Sequence, residues 1–409
     1  MWLARRRANA LLGSLGAVVD ESSMASTKQM HRFVERLKEN DRVLFVGDTR
    51  QHEAVEAGRP YAQLQEAGLR TAHLDEVIRQ KDPALKGAVE QLARGEVREA
   101  IGNLNSQGRV LEIEDRHERI GEIAREYVRS PENTLVVSPD NESRREINST
   151  IHQAMQADGK VSNEEHCVHV LYARQDIGGA DRQHAQNYEK GDMIRYSKGS
   201  KPLGVEAGEY ARVTATDRET NTLTVKRQSG EELSYDPRRL QGVTVYRDHE
   251  RSFAQGDRVQ MTAPYHAEKL ANRELGTVEQ INKGGNLKLK MDSGREVEFN
   301  AKQHPHLDYG YAVTSHSSQG QTAERVLIHV ESAQAHGELL NSRMAYVSVS
   351  RVQFDVKMYT NDAKTLGAEL SRDVSHPSAL QQDEAQKMGP QIDRGPQVDI
   401  SQGMGMSLA

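Results

Sequence analysis

The chain has 409 residues, 54 Lys and Arg against 60 Asp and Glu, and a formal charge of −6. That length predicts two or three domains, and without a global basic field any nucleic-acid binding must come from local patches. A mean hydropathy of −0.75 with no long apolar run excludes a transmembrane span or membrane insertion. The single cysteine, Cys167, excludes an intramolecular disulfide framework and suits a reducing, cytoplasmic setting.

The basic start, Arg5 to Arg7 followed by Ala10 to Val19, superficially resembles a secretory signal, but it is glycine-interrupted and runs straight into Asp20-Glu21. The favoured reading is a strand (Ala17, Val18, Val19) that delivers two carboxylates to a sheet edge; a strand running into a plain surface turn reads equally well from these residues alone. Ser26 can cap a helix with Met30, Phe33 or Val34, and Leu37 on one face. A second buried-type strand, Val43 to Val46, ends in Gly47-Asp48-Thr49-Arg50-Gln51. Strand, helix, strand at this spacing predicts a parallel α/β sheet. Arg79 follows an apolar pair, as an arginine on a strand end would, or serves as a surface salt bridge. Asp82-Pro83 opens a helix bearing Leu85, Val89 and Leu92, with Gly95 near its stop. A strand at Thr134 to Ser138 and an amphipathic helix at Asn141 to Ala157 follow.

From about residue 186 the chain repeats itself. Lys190-Gly-Asp-Met-Ile-Arg-Tyr196 matches Gln255-Gly-Asp-Arg-Val-Gln-Met261, Ala211-Arg-Val213 matches Gly276-Thr-Val278, and Leu223 to Gly230 matches Leu287 to Gly294. The expectation is two tandem SH3-like β-barrels, about 186–245 and 250–305, with Gly230 and Gly294 in hairpin turns. Lys226, Arg227, Arg238, Arg239, Lys283, Lys288 and Lys290, interleaved with Tyr196, Tyr210, Tyr235 and Tyr265, suit either phosphate contacts and base stacking along a single strand or the solubilising of edge strands.

Tyr309 to Thr322 ends an apolar stretch in a run of hydroxyls, His316 and Gln319-Gly320, a composition that lets backbone approach phosphates. Arg325 to Val330 reads as a buried strand, Leu339 to Val352 as a helix carrying Arg343 and Arg351, and Asp355 to Tyr359 as a last strand. From Arg372 the composition predicts a disordered tail.

Taken in order, Asp20-Glu21, Gly47 to Gln51, Arg79, Ala312 to Gly320 and Tyr346 to Arg351 resemble successive motifs of superfamily 1 helicases of the RecD-like branch. The stretch from Val46 to Lys86 is similar to the helicase region of conjugative relaxase–helicases. The resemblance covers about residues 15–365. It implies an α/β fold with an incomplete first RecA-like motor domain (1–130) and a complete second one (131–185 and 306–371) interrupted by the β-barrels. It implies Mg-ATP as cofactor, with Asp20 holding Mg²⁺, Glu21 activating water, Gln51 sensing the γ-phosphate beside Gly47 and Asp48, and Arg79 and Arg351 stabilising transferred charge. Thr314, Ser315 and His316 would touch single-stranded DNA, Gln319 and Gly320 would couple that contact to the nucleotide, and movement would run 5′ to 3′. The Gly-x-x-x-x-Gly-Lys-Ser/Thr phosphate loop and the relaxase part have no match, so the expectation is the C-terminal portion of such a protein. Such a portion would bind DNA but barely hydrolyse ATP alone. The alternatives are an ATPase completed by a separately encoded N-terminal helicase or relaxase fragment, or a non-enzymatic module for DNA or conjugation proteins.

Overall fold

The computed structural model describes residues 4–9, 14–52, 58–74, 76–174, 176–240, 242–331 and 339–373. The disordered tail expected from Arg372 lies outside them beyond Asp373. Two compact units divide the chain. The smaller comprises the described residues up to Thr49 and those from Gly58 to Ala72; the larger comprises Arg50–His52 and His73–Asp373.

In the smaller unit, β1 (Ala4–Asn9) pairs antiparallel with β2 (Ser14–Val19). Then comes α1 (Thr27–Val34), and β3 (Arg42–Phe45) lies parallel to β2 with Val18 opposite Leu44. Ser26 caps α1 as its sequence predicts: its hydroxyl accepts from Gln29 N and the Gln29 side chain returns the bond, a complete capping box. The helix α2 (Pro60–Glu66) closes a small core of Ala25, Met30 and Tyr61. The parallel pairing matches the sequence reading; the burial does not. Val18, Leu44 and Val46 are 41%, 59% and 41% exposed, so the strands read as buried on both faces cover only one, the face of Ala17 and Val19.

The larger unit opens with α3 (Pro83–Arg94) and α4 (Val97–Ser106), then β4 (Val110–Glu112), α5 (Arg116–Arg129), β5 (Thr134–Ser138) and α6 (Asn141–Ala157). A long antiparallel region follows: β6 (His166–Ala173), β7 (Met193–Tyr196), β8 (Tyr210–Asp217), β9 (Thr222–Arg227), β10 (Glu232–Tyr235), β11 (Val243–Phe253), β12 (Arg258–Met261), β13 (Leu275–Ile281), β14 (Asn286–Met291), β15 (Glu296–Asn300) and β16 (Leu307–Tyr309). The chain ends through β17 (Ala312–Thr314), the one-turn α7 (Ser315–Ser318), β18 (Ala323–Val330), α8 (Ser342–Ser350), β19 (Val352–Thr360) and α9 (Ala363–Leu370).

Strands β17-β5-β18-β19-β4 form an all-parallel five-stranded sheet. One face packs on α3, α4, α8 and α9 through Leu85, Leu104, Met344 and Leu366. The other packs on α5 and α6, and this core runs on without a break into Val259, Leu289 and Phe299 of the later β strands. The expected domain boundary at residue 130 is therefore corrected. Residues 83–129 belong with this sheet, because the apolar faces of α3 and α4 cover it and β4 is its edge strand.

The internal repeat is visible strand by strand. The order β10-β9-β8-β7-β11 in one sheet matches β15-β14-β13-β12-β16 in the other. Each copy has a register break at the same point, between Val213 and Ala215 and between Val278 and Gln280. The repeated Gly-Asp has a clear cause. Gly191 and Gly256 hold φ of 100° and 95°, a conformation glycine adopts without a Cβ penalty. The aspartates that follow accept the N–H three residues back, from Glu189 and Ala254. Gly230 and Gly294 do occupy hairpin turns, at φ 87° and 82°. The module boundaries shift from those expected: β11 runs straight through 246–249, β16 lies past 305, and β6 joins the first sheet rather than the parallel one. Both sheets are antiparallel, each a four-strand meander whose next strand returns beside the first, β11 beside β7 and β16 beside β12.

Candidate nucleotide and single-strand site

In the smaller unit, β2 ends at Asp20, whose carboxylate accepts from Glu21 N at 2.9 Å and is exposed. Glu21 sits at φ 51°, ψ 43°, a left-handed conformation that costs a non-glycine residue about 1–2 kcal/mol. The strain throws the chain into the turn Ser22–Met24, which Ser22 pins by donating its hydroxyl to Val19 O at 2.8 Å. The end of β3 lies against this turn. Ser22 N donates to Val46 O, and a Cβ on Gly47 would come within 3.0 Å of Ser23 N, so the position admits no larger residue without displacement. Asp48 follows, half-buried. Asp20, Glu21, Gly47 and Asp48 are thus gathered at one edge of the sheet.

The donor set fits Mg-ATP only in part. Two adjacent carboxylates suit a hard cation, but Mg²⁺ sites of this kind need phosphate oxygens to complete the shell. Among the described residues no group of three or more His, Cys, Asp or Glu could hold a metal, and the sequence contains no phosphate loop.

The larger unit gathers the remaining residues around α7. Thr314 at the end of β17 caps α7, its hydroxyl accepting from Ser317 N at 3.3 Å and donating to Ser317 Oγ at 3.0 Å. Ser315 is buried rather than presented, and Ser318 donates to its carbonyl at 2.7 Å. Gln319 is half-buried, and Gly320 is exposed at φ 81° where α7 unwinds.

Arg351, buried at the end of α8, donates to Val347 O (2.9 Å), Ser350 Oγ (3.1 Å) and Gln51 Oε1 (3.4 Å). Arg343, one face of α8 away, donates to Gln51 O at 3.1 Å. Arg79 does not sit on a strand end. It lies in an irregular segment in which Leu74 and Ile78 are exposed, and it reaches Ser350 O at 2.6 Å. The adjacent Gln80 Nε2 bonds Ser350 O and Val352 O at 3.2 and 2.8 Å, so this segment is stapled to the end of α8.

One pair escaped the sequence reading. His52, next to Gln51, stacks on His316 with ring centroids 3.7 Å apart and 12° between planes. Burial, then His316 and the Arg343, Arg351 and Arg273 guanidiniums, push the His52 imidazole down to about 2. Burial and Arg273 push His316 down to about 4. Both rings are therefore neutral at pH 7 and add no positive charge to the cluster. The stack joins the residue after Gln51 to the α7 turn.

The interleaved tyrosines are not a stacking platform. Tyr196 and Tyr235 are buried and share a hydrogen bond at 2.9 Å; Tyr210 bonds His306 at 2.6 Å; Tyr265 stacks on His304. Three of the basic residues are paired with carboxylates of neighbouring strands and turns, Arg227 with Glu209 and Glu231, Lys288 with Glu279 and Glu296, and Arg238 with Asp236.

Residues 7–115 match the family model described as an AAA domain. The multifunctional conjugation protein TraI of Escherichia coli is 25% identical over 399 residues, covering 84% of this chain and 22% of that protein. The conjugal transfer protein TraA of Agrobacterium fabrum is 24% identical over 347 residues, covering 84% and 24%. The chain thus spans less than a quarter of the length of these relatives. A solved Pif1 helicase structure superposes at a TM-score of 0.46 with 14% identity, over 91% of this chain and 73% of that one, too loosely to argue from. No helix among the described residues is long and apolar enough to cross a membrane. Over 84% of its length the chain is thus similar to the TraI and TraA conjugation proteins, and residues 7–115 match an AAA domain.

Proposed function

We propose that this chain is a cytoplasmic helicase segment of conjugative DNA transfer that binds single-stranded DNA through α7 and, by itself, hydrolyses ATP negligibly. The observation that carries it is the junction at α7. Gln51 and Arg351 lie within 3.4 Å of each other, and His52, the next residue, stacks on His316 of the turn assigned to the strand. If Gln51 senses nucleotide and His316 meets the strand, the stacked rings give the two a contiguous physical path.

On this reading Asp20 would hold Mg²⁺ and Glu21 would orient water in the smaller unit, and in the larger unit Gln51 would sense a terminal phosphate and Arg79 and Arg351 would supply positive charge. Thr314 and His316 hold the DNA backbone, Gln319 and Gly320 relay the contact, and travel is 5′ to 3′. The two β meanders are SH3-like modules inserted in the second motor domain. Without a phosphate loop the 409 residues lack the amide cradle and lysine that neutralise a triphosphate, so hydrolysis would need a phosphate loop from outside them.

The test is titration of a labelled oligothymidylate and a phosphate-release assay on the purified chain. Binding that weakens with salt is expected, with phosphate release at background until a phosphate-loop segment is added, and loss of the restored activity in Glu21→Gln. Robust DNA-stimulated hydrolysis by the chain alone, abolished by Glu21→Gln, would refute it.

A further inference from the structure

The two β modules are copies, and they differ at two backbone positions in a telling way. In the first copy the loop between β7 and β8 carries Gly204 and Gly208 at φ 63° and 89°. In the second copy the corresponding loop carries Lys269 and Arg273 at φ 54° and 70°. The loops differ in sequence but share their closing bonds. Gly208 N donates to Tyr196 O at 2.6 Å, and Arg273 N to Met261 O at 2.8 Å. Gly204 N donates to Lys201 O, and Lys269 N to His266 O, both at 3.2 Å. Glu206 N and Ala271 N each bond the carboxylate of the glutamate three residues on.

Left-handed backbone suits glycine and strains arginine. The first copy shows that this loop closes with glycine, so closure does not require Arg273. What Arg273 adds is reach. Its Nη1 donates to His316 O at 3.1 Å, in the middle of α7. That carbonyl belongs to a four-residue helix, too short to hold its own carbonyls by i to i+4 bonding. The same His316 carries the ring stacked on His52.

We propose that Arg273 is a positioning residue: a strained arginine by which the second β module clamps the α7 turn and fixes the His316 ring against His52. This rests on the reading of α7 as the single-strand contact, but its first readout does not. The clamp makes the second module, and not its twin, the one that conditions strand binding.

Arg273→Gly tests it, with thermal unfolding, amide hydrogen exchange and oligothymidylate binding measured on the full chain. Relief of the left-handed strain should leave the melting temperature unchanged or raised, while exchange over 315–320 quickens several-fold and strand affinity falls about fivefold. Arg273→Lys, which keeps a donor on a backbone that Lys269 shows lysine can adopt, should recover part of both losses. Lys269→Gly should match the stability result and leave exchange over 315–320 and affinity as they were. Wild-type exchange in Arg273→Gly overturns the clamp whether or not DNA binds. Failure of the wild-type chain to bind DNA, with faster exchange in Arg273→Gly, overturns the strand reading and leaves the clamp standing.

Discussion

Asp257→Ala is expected to remove about 3–5 kcal/mol of stability, the cost of breaking a buried ionic pair on one side. Asp257 is wholly buried and accepts from Ala254 N at 2.7 Å, from His152 Nδ1 at 2.7 Å and from the Tyr311 hydroxyl. Its loss strands a buried imidazole, a buried phenol and a turn amide together, where α6, β12 and the strand-entry residue Tyr311 meet. Domains carry about 5–15 kcal/mol in all, so the melting temperature should fall by on the order of 10 °C. An unchanged melting curve by circular dichroism would show that the cluster is not a joint between α6 and the second module.

The same joint gives a pH signature. Burial alone would lower His152, but the Asp257 hydrogen bond and charge, then Glu165, overcome it and the net direction is upward. A raised folded value means that the contribution is fully present below the unfolded pKa of about 6.5 and is lost as pH rises through the higher folded value. Asp257→Asn should therefore lose most relative to wild type in mildly acid solution, and the gap should narrow as pH rises. A gap that widens with pH has the wrong sign.

His316→Ala is expected to lower affinity for an oligothymidylate by on the order of tenfold, as loss of one stacked or hydrogen-bonded contact does. The more discriminating expectation is what stays constant. Because burial and Arg273 hold His316 at about 4, it carries no charge between pH 6 and 8 and releases no counterion. The slope of log affinity against log salt should therefore be the same in wild type and variant. Binding by wild type should not rise as pH falls through 6.5. A slope reduced by about one phosphate contact, or a sharp gain in affinity near pH 6.5, would mean that an imidazolium grips the backbone and that the stacked, neutral pair is wrong.

Features set by local chemistry were legible in the sequence. Ser26 and Asp82 announced helix starts through the cap bonds they make to Gln29 N and Leu85 N. The period of 64–65 residues was readable because the Gly-Asp turn and the hairpin glycines must recur wherever the same meander is built. Motif order placed Gln51, Arg351 and the hydroxyl-rich turn, which the fold then collects around α7.

Features set by phase or by distance were not. Tyrosines scattered through a β region look the same whether they point out to bases or in to the core; Tyr196 and Tyr235 point in. Val43 to Val46 has the composition of a strand buried twice over, yet Leu44 and Val46 lie on an open face. Arg79 looked like a strand-end residue because two apolar side chains precede it, but one of them, Ile78, is exposed. Nothing local pairs His52 with His316 or Arg273 with α7, since each contact closes a long loop of chain.

The cores of the twin modules have an unequal consequence. The first module encloses its own cluster, from Ile177 to Val245. The second has none of its own, because Val259, Leu289 and Phe299 belong to the core under α5 and α6. Sequence twins are therefore different thermodynamic objects. The first can open as a separate cooperative unit while the parallel sheet stays closed; the second can open only with that sheet. Unfolding in at least two steps is expected, with Asp257→Ala lowering the one that includes the parallel sheet, and an insertion or deletion tolerated in the first copy would strain the whole parallel sheet in the second.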